Sequence, residues 1–212
     1  NVGGATSTSV VAYYDATAVT LNGTPIAGSP LSKGQTAIIA TSQFDVIDAD
    51  KPIFTAGILG SGTGGSGANM VWLPTSWAGK SFSFNATRNN PQNLFVFAIE
   101  ATTIQVKQGA TVLDSATIAA GTGTTLNWSV YGSYQVVSTG TILALHMSGS
   151  GTTRHDPKPV LPGFTEVIGF PSNSMRLTAD LDSTNYNMIH SNSVTTAGSL
   201  NKIDSITVSP QG

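Results

Sequence analysis

Helical periodicity is nearly absent from this chain, and short runs of strand composition recur about every ten residues between clusters of Gly, Pro, Asn and Ser. A chain patterned this way can bury its apolar residues only through sheets, so the expected fold class is all-β. Strands are read at 8–14, 17–21, 35–41, 52–59, 70–73, 80–85, 93–99, 102–106, 111–118, 124–129, 134–138, 141–147, 166–170, 175–181, 186–190 and 203–208. Nothing between them requires a helix. Val19-Thr20-Leu21, then Asn22-Gly23 and Thr24-Pro25-Ile26, is a hairpin signal, because Asn-Gly supplies the positive φ angles of a tight turn. Ile104 to Val112 has the same form around Gly109.

The two hairpins belong to a longer internal likeness. Ala16–Leu21 lies over Ala101–Val106, Leu31 and Gly34 over Ile118 and Gly121, and Ile53–Thr63 over Ile142–Thr152. Leu73-Pro74 then matches Leu161-Pro162, Phe82 matches Phe170, and a third, truncated copy is expected to begin near Ile203–Val208. The expected architecture is two tandem, duplicated lobes of roughly 88 residues, each a small sandwich or barrel. The first spans 1–92 and the second 93–190, with 191–212 starting a further strand unit or forming a C-terminal arm. The continuously apolar run Leu94–Ile99 fits a strand covered on both faces and is expected to lie between the lobes.

Charge narrows the function. Only 9% of the 212 residues are charged and the net charge is -2, where globular proteins average roughly 25% charged residues. Ser, Thr, Gly and Asn take their place. There is no basic footprint for nucleic acid or anionic lipid, and no apolar run approaches the roughly 18 residues of a membrane helix. The repeated apolar runs argue against disorder. With no Cys, neither a disulfide framework nor a Cys-ligated metal holds the fold. A start at Asn1 without an initiator Met reads as a processed form or a piece of something longer.

Asp48-Ala49-Asp50-Lys51-Pro52-Ile53-Phe54-Thr55-Ala56-Gly57, Leu73-Pro74-Thr75-Ser76-Trp77-Ala78-Gly79-Lys80-Ser81-Phe82 and Ala101-Thr102-Thr103-Ile104-Gln105-Val106 follow one another in that order. Together they resemble the N-terminal domain of the IgGFc-binding protein family, whose pattern runs from a DKPV strand through an LPP..WG..F segment to a TTV.V strand. The second copy departs from it: Gly140-Thr141-Ile142 stands where Lys-Pro is expected, and Pro162-Gly163-Phe164 replaces the Pro-Pro and Trp. The resemblance implies an extracellular all-β module of adhesive, mucus-type or bacterial surface proteins. It implies no catalytic residues, and IgG binding is not carried to named positions.

Each candidate chemistry has a plainer counterpart. Gly60-Ser61-Gly62-Thr63-Gly64-Gly65 satisfies G-x-G-x-x-G, but a dinucleotide loop needs a helix next, and Ala68–Pro74 reads as a strand; the segment reads as a loop, with Gly62 and Gly64 as contact candidates. His146 lies in an apolar run and reads as a satisfied core or interface residue. Arg154-His155-Asp156-Pro157-Lys158 is the densest charged patch, a solvated loop or a contact for an anionic group through Arg154, His155 and Lys158. Asp180 and Asp182 space their oxygens as a calcium loop begins, without the Gly and distal Glu of an EF-hand, and Asp45, Asp48 and Asp50 form a second acidic cluster. The alternative at both is a turn closed by Asx hydrogen bonds. Trp77, in a polar Pro-Thr-Ser-Trp-Ala-Gly stretch, is the aromatic expected at the surface. Glu100 and Glu166, the only Glu, give no sign of a paired glycosidase site, and no G-x-S-x-G elbow is present.

No coherent active site emerges, and no cofactor beyond an optional calcium is implied. The expected function is a non-enzymatic structural or adhesive β module of an extracellular assembly, such as a virion fibre, decoration or tail component or a bacterial surface appendage. Its partners would be copies of itself or other subunits, with no nucleic acid and no membrane insertion. The alternative is a carbohydrate- or glycoprotein-binding adhesin domain of a cell-surface protein, contacting through the Trp77 stretch, the Gly60–Gly67 loop and Arg154–Lys158; a polysaccharide depolymerase is the third reading.

Overall fold

The computed structural model describes residues 6–58, 69–70, 72–86, 91–148, 158–160, 163, 175–179, 181–189, 195–202 and 204–208. These residues form an all-β protein, as their patterning requires, with a single 3-10 turn at Thr75–Trp77. The chain divides into two compact units, Asn1–Leu73 and Pro74–Gly212. The boundary read from the sequence at 92/93 falls inside the second unit, at the first residue of its strand Gln92–Ala98.

In the first unit β1 (Thr6–Ala12) lies between β4 (Thr36–Thr41) and β6 (Ile53–Ile58), both antiparallel to it, and β7 (Asn69–Met70) continues the sheet beyond β6. A second sheet has the order β3 (Thr24–Pro25), β2 (Val19–Leu21), β5 (Ile47–Ala49). Asn22 and Gly23 both take positive φ between β2 and β3, the turn their dipeptide encodes. Alternation directs Val10, Ala12, Val19 and Ile39 inward, where they meet Ile26 and Leu31.

The second unit is built on β13 (Gly132–Ser148), a 17-residue strand. Around it stand β8 (Gly79–Ala86), β9 (Gln92–Ala98), β10 (Thr102–Gln108), β11 (Thr111–Ile118), β12 (Gly123–Trp128) and β14 (Lys158–Val160), with the path β11-β10-β13-β9-β12. Up to its middle, β13 pairs with β8 and β10; from Ile142 onward it pairs with β9 and β14. The exchange occurs at a register shift around Gly140, so the two strands read at 134–138 and 141–147 are one bent strand. Asp114 on β11 accepts a hydrogen bond from the backbone N–H of Asn127 on β12 at 2.7 Å, so the two ends of the path approach and the sheet nearly closes into a barrel. Phe82, Leu94, Val96, Ile104, Val106, Tyr134, Val136 and Ile142 fill it.

The same pairings occur in both units. Val10 stands between Ala37 and Thr55, and Val96 between Thr124 and Ala144. Val19 faces Ala49 as Ile104 faces Ser138, and Gly57 faces Met70 as His146 faces Lys158. Beyond these, β15 (Met175–Thr178) pairs with β18 (Ser205–Val208), and β16 (Thr184–Ile189) with β17 (Thr195–Leu200). Ala179 donates its N–H to Asp204 C=O as Ala98 does to Thr122 and Ala12 to Gln35. Strands β5, β14 and β17 are not legible from composition, and the run at 166–170 lies outside the described residues.

Candidate functional site

The first unit leaves one sheet face open. Along β1, β4 and β6 the period of two that turns Val10 and Ile39 inward turns Ser7, Ser9 and Val11, Thr36, Ile38 and Ala40, and Phe54 and Ala56 outward. Register aligns them in rows, Thr36-Val11-Phe54 and Ile38-Ser9-Ala56. None of these eight side chains is charged. Ile38 is 75% exposed and Phe54 55%, and Tyr13 and Tyr14 stand exposed where β1 ends. A shallow groove of about 320 Å³ runs between Val11, Ala12, Tyr13, Gly34 and Phe54, with Lys33 at its side. A second, of about 360 Å³, lies between Leu21, Pro25, Ile26 and Ile38. Isolated apolar residues on a surface are ordinary, whereas apolar residues gathered on one face point to an interaction surface.

The Asp-Lys-Pro residues behind the family resemblance are spent on folding. Asp50 Oδ1 accepts the N–H of Ala18 at 2.8 Å, Lys51 Nζ donates to the carbonyls of Asp15 and Ala16 at 2.7 and 2.9 Å, and Pro52 C=O accepts the N–H of Tyr13. The Asp-Lys-Pro run therefore ties down the β1–β2 connection. At the corresponding place in β13, Gly140 passes so close to Ala101 that a Cβ would lie 2.9 Å from its carbonyl oxygen, which accounts for the missing Lys. Phe82, Thr102, Ile104 and Val106 are core residues.

Trp77 closes the 3-10 turn, its N–H bonded to Pro74 C=O at 2.9 Å, and is half-buried. Gly62, Gly64, Arg154, His155 and Asp180 lie outside the described residues. Lys158 begins β14, its backbone paired with His146. Asp182 sits in an exposed turn and its Oδ1 accepts the N–H of Lys202 at 3.0 Å. Asp45 accepts from Ser42 N–H and Asn22 Nδ2 at 2.6 and 2.8 Å, an Asx-type closure of its turn. Among the described residues no group of three potential ligands could hold a metal ion.

His146 is buried, its Nε2 2.8 Å from Gln92 Oε1, within a ring cluster with Phe84, Trp128 and Tyr134. The Tyr134 hydroxyl donates to Val130 C=O. Burial raises the Tyr134 phenol above its ordinary value, and the Trp128 indole N–H acts the other way without reaching hydrogen-bond geometry. Glu100 accepts the backbone N–H and hydroxyl of Thr141 and pairs with Lys80 at 3.6 Å; the two Thr141 bonds, with Lys80 assisting, hold its carboxyl below the ordinary value. These contacts brace the bend of β13. They bring no nucleophile and base together.

Sequence reading passes over Ile38, Phe54 and Tyr13. The signal is present in the pairs Ile38-Ile39 and Ile53-Phe54, since in a strand only one of two adjacent residues can face the core.

Two of the exposed apolar side chains, Ile38 and Phe54, share the uncharged outward face of β4-β1-β6. Residues 2–145 match the family model described as IgGFc binding protein, and the chain belongs to that family, a binding rather than catalytic type of domain typical of extracellular proteins. No curated protein and no solved structure matches the chain.

Proposed function

We propose that the chain is a non-enzymatic structural and adhesive module of an extracellular assembly, a virion fibre, decoration or tail component or a bacterial surface appendage, in which it meets copies of itself. The observation that carries this reading is the uncharged outward face of β4-β1-β6 with Ile38 and Phe54 exposed. Burying each of these side chains is worth about 1.5–3 kcal/mol. Association costs on the order of 4–15 kcal/mol in lost rigid-body freedom. One such face therefore gives a weak contact, and stable assembly follows from many contacts at once. Sizing by light scattering over a concentration series tests it: the chain should self-associate, and Ile38→Lys with Phe54→Lys should return it to monomer.

A second reading, a carbohydrate- or glycoprotein-binding adhesin, is favoured by the exposed rings of Tyr13, Tyr14 and Phe54 beside Lys33, since sugars stack on such rings. Glycan-array binding lost on Tyr13→Ala and Phe54→Ala, or on Trp77→Ala, would establish it. A blank array leaves self-association as the function of the face.

A further inference from the structure

In the second unit β8 lies along β13 on the side away from β10, with Phe82 facing Val136 and Ser81 facing Val137. Phe82, Val106 and Val136 are all fully buried. The first unit has the same arrangement less one strand. There β5 takes the place of β13 beside β2, and Leu21 faces Ile47 where Val106 faces Val136. Among the described residues no strand lies on the outer edge of β5.

Burial registers the difference. Leu21 and Ile47 are only half-buried, and the neighbouring Val46 is 41% exposed. Asn22 N–H donates to Val46 C=O and Asp50 N–H to Ala18 C=O, so the even-numbered residues of this stretch turn their backbone groups toward β2. In an antiparallel ladder the alternate residues, Ile47 and Ala49, then present theirs to the outer edge. Among the described residues these outward donors and acceptors have no ladder partner, above two incompletely covered apolar side chains, a template for strand addition.

We infer that the outer edge of β5 accepts a β-strand from another polypeptide of the assembly. The strand has the chemistry of β8: small polar residues alternating with phenylalanine, one ring closing over Leu21 and Ile47 as Phe82 closes over Val106 and Val136. The inference rests on the assembly reading for the source of the strand; the open edge follows from the pairings among the described residues.

The test titrates a fluorescein-labelled peptide of residues 78–87, which spans β8, into the full chain and follows anisotropy, with sizing of the chain alone in parallel. Saturable one-to-one binding is expected. Ala49→Pro removes an outward N–H while leaving the β2 ladder, and should weaken binding at least about tenfold. So should Ile47→Ser, which serves as the second variant where Ala49→Pro fails to fold, and Phe82→Ser within the peptide. No saturable binding overturns the inference, and so does binding unchanged in both protein variants, which means exchange with the chain's own β8. Self-association without peptide binding rejects this edge and leaves the assembly reading standing. Peptide binding by a strictly monomeric chain supports the edge and rejects the assembly reading.

Discussion

Truncating Phe82 to alanine tests how the second unit is held together. Phe82 is fully buried on β8, opposite Val136, and belongs to the cluster that includes Ile104, Val106 and Tyr134. Its neighbours sit on separate strands of a nearly closed sheet, so they cannot collapse into the space without breaking ladder bonds. Phe→Ala changes at such sites cost about 3–5 kcal/mol, transfer and cavity terms together. For a unit of this size each kcal/mol lowers the melting temperature by about 2–4 °C, so the unfolding transition should drop by roughly 6–20 °C. Phe82→Leu, which keeps most of the volume, should cost under about 1.5 kcal/mol. Scanning calorimetry reads both. A drop below about 3 °C for Phe82→Ala would mean that β8 does not cover Val106 and Val136, and would remove the template on which the strand-acceptor edge of β5 is drawn.

Other perturbations have equally definite outcomes. Gly140→Ala sets a Cβ 2.9 Å from Ala101 O and 3.1 Å from Glu100 Cβ and Thr102 Cβ; thermal melts should show a loss of about 1–3 kcal/mol. Tyr134→Phe removes the hydroxyl bonded to Val130 and should cost about 1 kcal/mol at neutral pH. Because the folded phenol titrates above the ordinary 10.0, the stability it contributes is complete below that pH and is lost as pH rises through the folded value. The alkaline fall in melting temperature should accordingly be shallower in Tyr134→Phe. For Glu100 the sign is reversed: its folded carboxyl titrates below 4.5, so its small contribution is present above that pH and fades as pH falls through the folded value, a trend that Glu100→Gln should flatten.

Much of the fold was legible because strand periodicity is local. The alternating runs around Gly109 become β10 and β11 at Thr102–Gln108 and Thr111–Ile118, and Asn22-Gly23 places the first hairpin. What escaped was set by partners. Ile47–Ala49 is too short to show a period and becomes a strand because β2 lies beside it. Thr139-Gly140 reads as a turn, yet β13 runs through it because the chain exchanges one pair of neighbours for another there. Thr195–Leu200 has little strand propensity and is held by β16. The exposed face of β4-β1-β6 is hard to read from sequence for a related reason. Phe54 and Ile38 have core composition, and only register shows that they point outward, whereas Trp77, set among polar residues, is half-buried. The face itself is made of uncharged residues from three strands that lie far apart in sequence, so it leaves no local signature.

If the uncharged face of β4-β1-β6 joins copies of this chain, association must depend on Ile38 and Phe54. Light scattering across a concentration series, comparing the parent with the Ile38→Lys and Phe54→Lys double variant, addresses it most directly. The parent's mass should rise with concentration and the variant's should stay at 21.8 kDa. A parent that remains at monomer mass throughout, or a variant that associates as the parent does, would contradict it.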